Sequence, residues 1–338
     1  MSDKIELRIG DYIYRRFKNY QVDSDIYEAA DAFQFELYSD SNFSPRAGMK
    51  CEFIVNGELE LTGIIDKATR GYDSQGRVIS ISGRDTMSLI VDSFVETYET
   101  IQNTSLIKVA EKLLKNVSFI KSIEYDTGAE KRDATKPFIQ TEPGQKIFDV
   151  LRDVAASRGL VFYSKSNGGL VFRKPRGRGQ TLFAIRVNKS EQNNIVIKGA
   201  LSEDISQRYS RYTVLTQEQG EDEEPAQINA IATVEDDQFP FRDKLYKPFV
   251  EAVSDDAGSP KKLAQLRMEH ARMISNTLSY TVKGHSQNIR NWAIDELVRV
   301  DDYELDVHAD MLIYGRTFSG PENGQITELK LGVPGLVA

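Results

Sequence analysis

Residues with reactive chemistry are few in this chain and poorly grouped. Gly83-Arg84-Asp85 stands between "VISIS" and "MSLIVDS" and offers a cation and a carboxylate at one strand–helix corner. A catalytic loop, a ligand nest and a plain joint are the three readings. Asp85 has the type and position to cap the following helix, accepting a backbone N–H from Met87 or Ser88. Gly83 permits a tight exit from the strand. Arg84 projects at the corner, where a carboxylate can meet it. The joint reading needs no catalysis. Asp301, Asp302, Glu304 and Asp306 gather four carboxylates without the spacing and glycine of an EF-hand, so a solvated strand edge or turn is expected. Cys51 is the one cysteine, it sits in a strand pattern, and no histidine partner is evident. His270, His285 and His308 have no paired metal-ligand spacing, and no metal or other cofactor is expected. Gly-x-Ser-x-Gly, P-loop, His-Glu-x-x-His and Gly-x-Gly-x-x-Gly motifs do not occur. Arg173, Lys174, Arg176 and Arg178, with Gly177 and Gly179, make a small basic patch. It lacks the extent and the aromatic platforms of a nucleic-acid site, and a flexible solvated turn is expected.

The elements that must carry these residues fall into blocks along 338 residues, a length that suggests two or three domains. Residues 1–93 read as short strands: "KIELRI" alternates, "FQFELY" and "CEFIVNGELELTGIID" follow, and Asn56-Gly57 is a hairpin turn. This pattern suggests a small antiparallel barrel. Residues 94–180 read as an α+β insert. Leu106, Val109, Ala110, Leu113 and Leu114 form one helical stripe, with Asn103 or Thr104 available as cap. Ile147, Val150, Leu151 and Val154 form a second, which Gly159 can end in a left-handed turn, and Asn167-Gly168-Gly169 turns a hairpin. Residues 181–217 and 278–338 return to strands. The stretch 218–277 between them reads as a connecting loop and a helix. Its run Glu221-Asp222-Glu223-Glu224 reads as solvated. Ser259-Pro260 opens its helix, with Leu263, Leu266, His270 and Ile274 on one side.

An internal echo sharpens the fold class. "TGIIDKATRGYDSQGRVISISG" (62–83) lies against "DMLIYGRTFSGPENGQITELKL" (310–331) without a gap at an offset of 324 − 76 = 248, with Gly76 meeting Gly324. The class expected is therefore α+β, mainly β: two related small antiparallel β-barrels, with the α+β insert and a helix between them.

Five stretches, in order, carry a family resemblance: "VDSDIYEAADAFQFEL", "SGRDTMSLIVDS", "IQTEPGQKIFDVLRDVAASRGLVFYSKSNGGLVF", "NNIVIKGALSEDISQRYSRYTVLTQ", and "YKPFVEAV" with the segment from "LSYTVKG" to "GRTFS". Together they span nearly the whole chain and resemble the baseplate hub proteins of contractile-tailed phages, in particular the 43 kDa tail protein family of Mu-like phages and prophages. At His285, after Val282-Lys283-Gly284, the family pattern leads one to expect an aromatic residue, which puts the local packing in question. Within the resembling segments Arg208, Tyr209, Tyr212 and Trp292 stand out as residues for packing or subunit contact.

The resemblance implies a non-enzymatic structural protein of the virion. It would be a homotrimeric hub whose ring of six barrels adapts a sixfold tail tube to a threefold central spike. Its partners would be tube, spike and other baseplate proteins, with assembly in the host bacterial cytoplasm. A net charge of −8 and a pI near 5.2 speak against tight nucleic-acid binding. No apolar run approaches the ~20 residues of a membrane helix, so no membrane insertion is expected. The apolar-poor N-terminus argues against Sec export. The alternative is a tail-associated peptidoglycan-binding or cell-wall-degrading protein. It rests on a weak likeness of residues 141–163 to LysM modules and on an unrecognised carboxylate pair.

Overall fold

The computed structural model describes residues 2–38, 43–74, 76–96, 100–117, 119–133, 136–174, 179–188, 195–217, 228–241, 243–254, 259–320 and 324–334. The first block forms β1 (Ile5–Ile9), β2 (Tyr12–Tyr14), β3 (Phe17–Asp25), β4 (Ala32–Tyr38), β5 (Lys50–Val55), β6 (Glu58–Asp73) and β7 (Gly76–Asp85), closed by the short helix α1 (Met87–Asp92). Period-two alternation sends Leu7, Ile9, Tyr20, Val22, Phe35 and Ile81 to the core. Asn56 and Gly57 both take positive φ, 53° and 88°, as a tight two-residue hairpin between β5 and β6 requires. Gly83 is needed for a different reason from the turn expected of it. A Cβ there would stand 2.0 Å from the Ile64 carbonyl oxygen and 2.5 Å from the Phe33 ring, so the residue makes room for Phe33 inside the strand.

The middle block holds β8 (Thr100–Thr104), α2 (Leu106–Leu113), β9 (Ile123–Tyr125), β10 (Lys136–Gln140), α3 (Ile147–Ser157), β11 (Val161–Ser164) and β12 (Leu170–Arg173). The expected stripes of α2 and α3 pack on one another with Phe162, Leu170 and Phe172 in a core of their own. The α2 cap is Ser105, whose side chain accepts the Lys108 N–H, because Asn103 and Thr104 still belong to β8. Gly159 takes φ 66° after α3, as anticipated.

The remaining elements are β13 (Phe183–Val187), β14 (Val196–Glu203), β15 (Arg211–Gln217), β16 (Ile228–Glu235), β17 (Pro248–Ser254), α4 (Pro260–Ser275), β18 (Asn276–Lys283), β19 (Ser286–Gln287), β20 (Arg290–Asn291), β21 (Leu297–Asp302), β22 (Val307–Gly320) and β23 (Ile326–Gly332). Here the sequence reading needs correcting. The stretch 218–277 contains two strands as well as its helix, and they take β15 out of the second β block into a separate sheet ordered β16-β15-β17. Tyr212 and Val214 drive this arrangement by burying against Leu263, Ala264, Met268 and Ala271 of α4. Of the expected α4 face only Leu263 is fully buried, while Ile274 is exposed. The acidic run 221–224 lies outside the described residues.

The two β blocks are one structure repeated. The main sheet runs β14-β18-β23-β22-β3-β4-β7-β6-β5-β1-β2, with β21 on β22 and β13 on β21. Its first four strands match the next four in tandem. The register of β6 on β7 slips between Ile65 and Lys67, and that of β22 on β23 slips between Ile313 and Gly315, so both bulge positions differ by 248 (313 − 65, 315 − 67). Thr69↔Ser80 becomes Thr317↔Glu328, and every other shared rung from Ile64↔Arg84 to Gly71↔Val78 follows the same rule. The bulge of β3 on β4 between Phe17 and Asn19 reappears in β14 on β18 between Val196 and Lys198, a shift of 179 (196 − 17). The blocks join where β22 pairs with β3, from Gly315↔Asp25 to Gly320↔Tyr20. Buried side chains of both blocks form one continuous core, with Phe53 and Phe318 6.4 Å apart across it.

Candidate functional site

The Gly83-Arg84-Asp85 corner opens onto a cavity of about 260 Å³ with mixed polar and apolar walls. Three parts of the fold line it. The first block supplies Ser24, Asp31, Glu60, Thr62 and Asp85. The β11 hairpin supplies Tyr163, Ser164, Lys165 and Ser166, and the second block supplies Ala293, Ile294 and Arg316. Asp85 accepts the Met87 N–H at 3.1 Å with one oxygen, at the start of α1. Its other oxygen accepts the Ser164 hydroxyl, which ties the middle block to the first. Arg84 bridges Asp66 at 2.8 Å and Asp92 at 2.7 Å on the outer side of the corner.

The cavity chemistry is that of buried, mutually constrained charges. Asp31, which accepts the Asp25 N–H at 2.7 Å, is held well above the usual carboxyl range by burial and by the Asp85 charge. Burial pushes Asp85 up to about 7, against the pull of its hydrogen bonds. Arg316 donates to Glu60 at 2.7 Å, to Ser24 at 3.2 Å and to the Trp292 carbonyl, and its guanidinium lies 4.1 Å from the Phe318 ring centroid. Glu60 also accepts from Asn291 at 2.6 Å. Arg316 Nε and Thr62 Oγ1 have no hydrogen-bond partner among the described residues. Both carboxyl groups belong to the first block, and burial favours the protonated form of each. Sequence reading missed Asp31, Glu60 and Arg316. The available signal was Arg316 itself, a charge on the core-facing side of β22 opposite Leu329.

Other singled-out residues lie elsewhere. Arg208 is buried, pairs with Asp236 at 2.7 Å and donates to the Gln238 carbonyl at 2.7 Å, while Arg272 reaches the same Asp236 at 2.6 Å. Tyr209 and Tyr212 pack edge-to-face at 5.8 Å, and both touch Phe249. Trp292 stacks on Phe183 at 4.6 Å. Arg208, Tyr212 and Trp292 are thus interior residues of a single chain, which leaves them no surface for a subunit contact. His285 fills the place of the expected aromatic residue. Fully buried, it packs on Phe318 at 4.4 Å, with one ring nitrogen on the Tyr20 hydroxyl and the other on the Thr327 hydroxyl. Burial lowers its pKa to about 4. The basic patch is not what its composition suggested. Arg173 is buried and paired with Asp295, and Arg176 and Arg178 lie outside the described residues. Asp302 is likewise no solvated residue. It accepts the Tyr280 hydroxyl at 2.7 Å and the N–H groups of Glu304 and Leu305, so it pins the turn after β21. No cluster of three or more metal-ligating side chains occurs among the described residues.

Comparison with known proteins gives this architecture its context. Residues 4–85 match the family model described as Mu phage baseplate assembly protein GpP-like, N-terminal. No curated protein matches the chain. Among solved structures, a tail protein from Neisseria meningitidis superposes with a TM-score of 0.83 at 24% identity, covering 99% of this chain and 98% of that one. The 43 kDa tail protein of prophage MuSo2 from Shewanella oneidensis gives 0.81 at 22%, covering all of both chains. An Escherichia coli component of the type VI secretion system, itself described as similar to the phage T4 tail proteins gp27 and gp5, gives 0.57 at 12%, covering 97% of this chain and 76% of that one. Residues 4–85 are thus similar to the Mu phage baseplate assembly protein GpP-like N-terminal domain, and the whole chain has the fold of the 43 kDa prophage tail proteins.

Proposed function

We propose that this chain is a structural component of a contractile-tail baseplate, and that three copies form a hub joining a sixfold tail tube to a threefold spike. The observation that carries the reading is end-to-end agreement with tail proteins over 98% or more of both chains. The tandem repeat supports it. One chain with two like blocks offers six like blocks in a trimer, so a threefold ring can meet a sixfold partner. The working parts are the two β blocks, the middle α+β unit and the α4-backed sheet, with Gly83-Arg84-Asp85 as the joint between the first β block and the middle unit. The hub meets tube, spike and neighbouring baseplate proteins in the virion, after assembly in the host cytoplasm. Light scattering at micromolar concentration is expected to give the mass of three chains. A monomer at every accessible concentration overturns the hub.

The second reading, a tail-associated cell-wall hydrolase, draws on one observation: Asp31 and Asp85 are a buried carboxyl pair, one of them raised to about 7, in a cavity. General acid catalysis uses groups so tuned. The expected outcome on a peptidoglycan zymogram is no clearing. A clear band abolished by Asp85→Asn establishes this second reading.

A further inference from the structure

The middle unit begins immediately after Asp85, since Met87 and Ile90 of α1 belong to its core. The Asp85 carboxylate therefore stands on the boundary. It accepts the Met87 N–H and the Ser164 hydroxyl, both from the middle unit, while its own N–H goes to the Asp31 carbonyl at 2.8 Å. Asp85 is 4% exposed, and the neighbouring Asp31 carboxyl is desolvated as well. Neither forms an ion pair among the described residues. The cations around them are engaged elsewhere: Arg84 with Asp66 and Asp92, Arg316 with Glu60, and Lys165 with Glu124. The β11 hairpin closes the cavity over the pair with Tyr163, Ser164, Lys165 and Ser166, and its turn packs so closely that a Cβ on Gly168 would stand 3.2 Å from the Thr86 methyl group. We propose that Asp31 and Asp85 form a proton-operated latch: protonated, they seat the middle unit on the first β block, and ionised, they let it rock away about the Arg84 corner so that water enters the cavity. The latch uses the joint of the baseplate reading and not its trimer.

Two adjacent carboxylates without a cation cannot both stay ionised out of water, so a closed cavity keeps a proton on the pair and an open one releases it. The surrounding charges do not cancel this. Asp25, itself bound to Lys330 at 2.9 Å, adds to the repulsion on Asp31, while Arg316 opposes it. Arg84 pulls Asp85 down, and burial outweighs that pull. Glu60, Tyr163 and Lys165 complete the titratable and charged lining. The sign follows. Asp85 titrates at about 7 when the unit is seated and at the ordinary 3.8 when hydrated, so the seated state holds the extra proton. Seating is tightest below pH 4, weakens about tenfold per unit as pH rises, and levels off near 7. Arg84 keeps its charge throughout and ties β6 to α1 through Asp66 and Asp92, which makes it the pivot. On the far side Arg173 pairs with Asp295 in the second block, so the motion is a rocking and not a release.

The test uses the full chain carrying Leu61→Cys, a cavity-wall position that is 3% exposed, with Glu58→Cys as the exposed reference. The unaltered chain reports any reaction of the buried Cys51. The probe is 4,4′-dithiodipyridine. The Leu61→Cys rate, divided by the Glu58→Cys rate at the same pH, should rise about tenfold or more from pH 5.5 to pH 7.5 while circular dichroism stays native. Adding Asp85→Asn should flatten the rise, and Asp31→Asn, the second variant should the first fail to fold, should reduce it. A flat ratio without these changes overturns the latch. So does a rise that both Asn variants leave intact, or one that accompanies loss of the native spectrum. Light scattering on the same samples counts chains independently, so a failed latch leaves the hub standing and a monomer leaves the latch standing.

Discussion

His285 shows how one side chain can stand in for another type at a cost that depends on pH. Its ring packs among Phe318 and Tyr20 as an aromatic residue would, and both nitrogens are bonded, so the neutral form fits and the cation does not. The folded pKa of about 4 lies below the ordinary 6.5. Between those values the unfolded chain binds a proton that the folded chain refuses. Stability is therefore full above pH 6.5 and falls as pH drops toward 4, by about 3 kcal/mol at most. Urea titrations at pH 7 and pH 4.5 should show the loss, and His285→Phe should flatten it. Asp85 has the opposite sign. Its folded pKa of about 7 exceeds the ordinary 3.8, so the folded chain holds the extra proton and stability declines as pH rises from 4 through 7. Asp85→Asn should remove that decline, and Asp85→Ala should cost about 0.5–2 kcal/mol through the lost contact to the Met87 N–H. If wild type and Asp85→Asn lose stability equally between pH 5 and pH 8, the carboxyl is not the titrating group. The contact from Asp85 to the Met87 N–H was legible because its cause is local, although the N-cap of α1 is Thr86 and Asp85 ends β7. The raised pKa was not legible, since it comes from burial by parts of the fold far off in sequence, and the Ser164 hydroxyl, 79 positions away, pulls against it.

Among the elements, the hairpins could be read because their causes are local. Asn56-Gly57 sets a turn, alternation sets a face, and a constant offset joins 62–83 to 310–331. The sheet β16-β15-β17 could not be read. β15 is joined to β17 in parallel across a stretch that includes the acidic run, and only the apolar face of α4 explains why the three strands lie together. Gly83 belongs to this scale as well. Its type looked like turn chemistry, but the cause is the distant Phe33 ring and the neighbouring strand backbone. Gly83→Ala should destabilise by about 3 kcal/mol or more, the upper end for overpacking, because the Ile64 carbonyl cannot yield as a side chain does. Thermal melts of the purified variant check this, and a melt unchanged within a degree would refute it.

The whole molecule carries −8, and three copies carry −24. A ring of that charge repels a polyanion unless cations are gathered at its axis. The composition-level candidate for such a gathering has lost Arg173 to an internal pair with Asp295. Gel-shift titration with duplex DNA at ~150 mM salt should show nothing tighter than the ~10⁻⁴–10⁻⁶ M of non-specific binding. Submicromolar, salt-sensitive retardation would contradict it. The seam between β22 and β3 has a mechanical meaning too. Six rungs from Gly315 to Gly320 tie the halves of the chain, and ladder hydrogen bonds run perpendicular to their strands. Tension along the strands loads every rung at once, in shear, whereas tension across them parts the rungs one after another, as a zipper opens. At the seam the two halves are thus coupled more stiffly along the strands than across them, and the shared core is what resists a sideways pull.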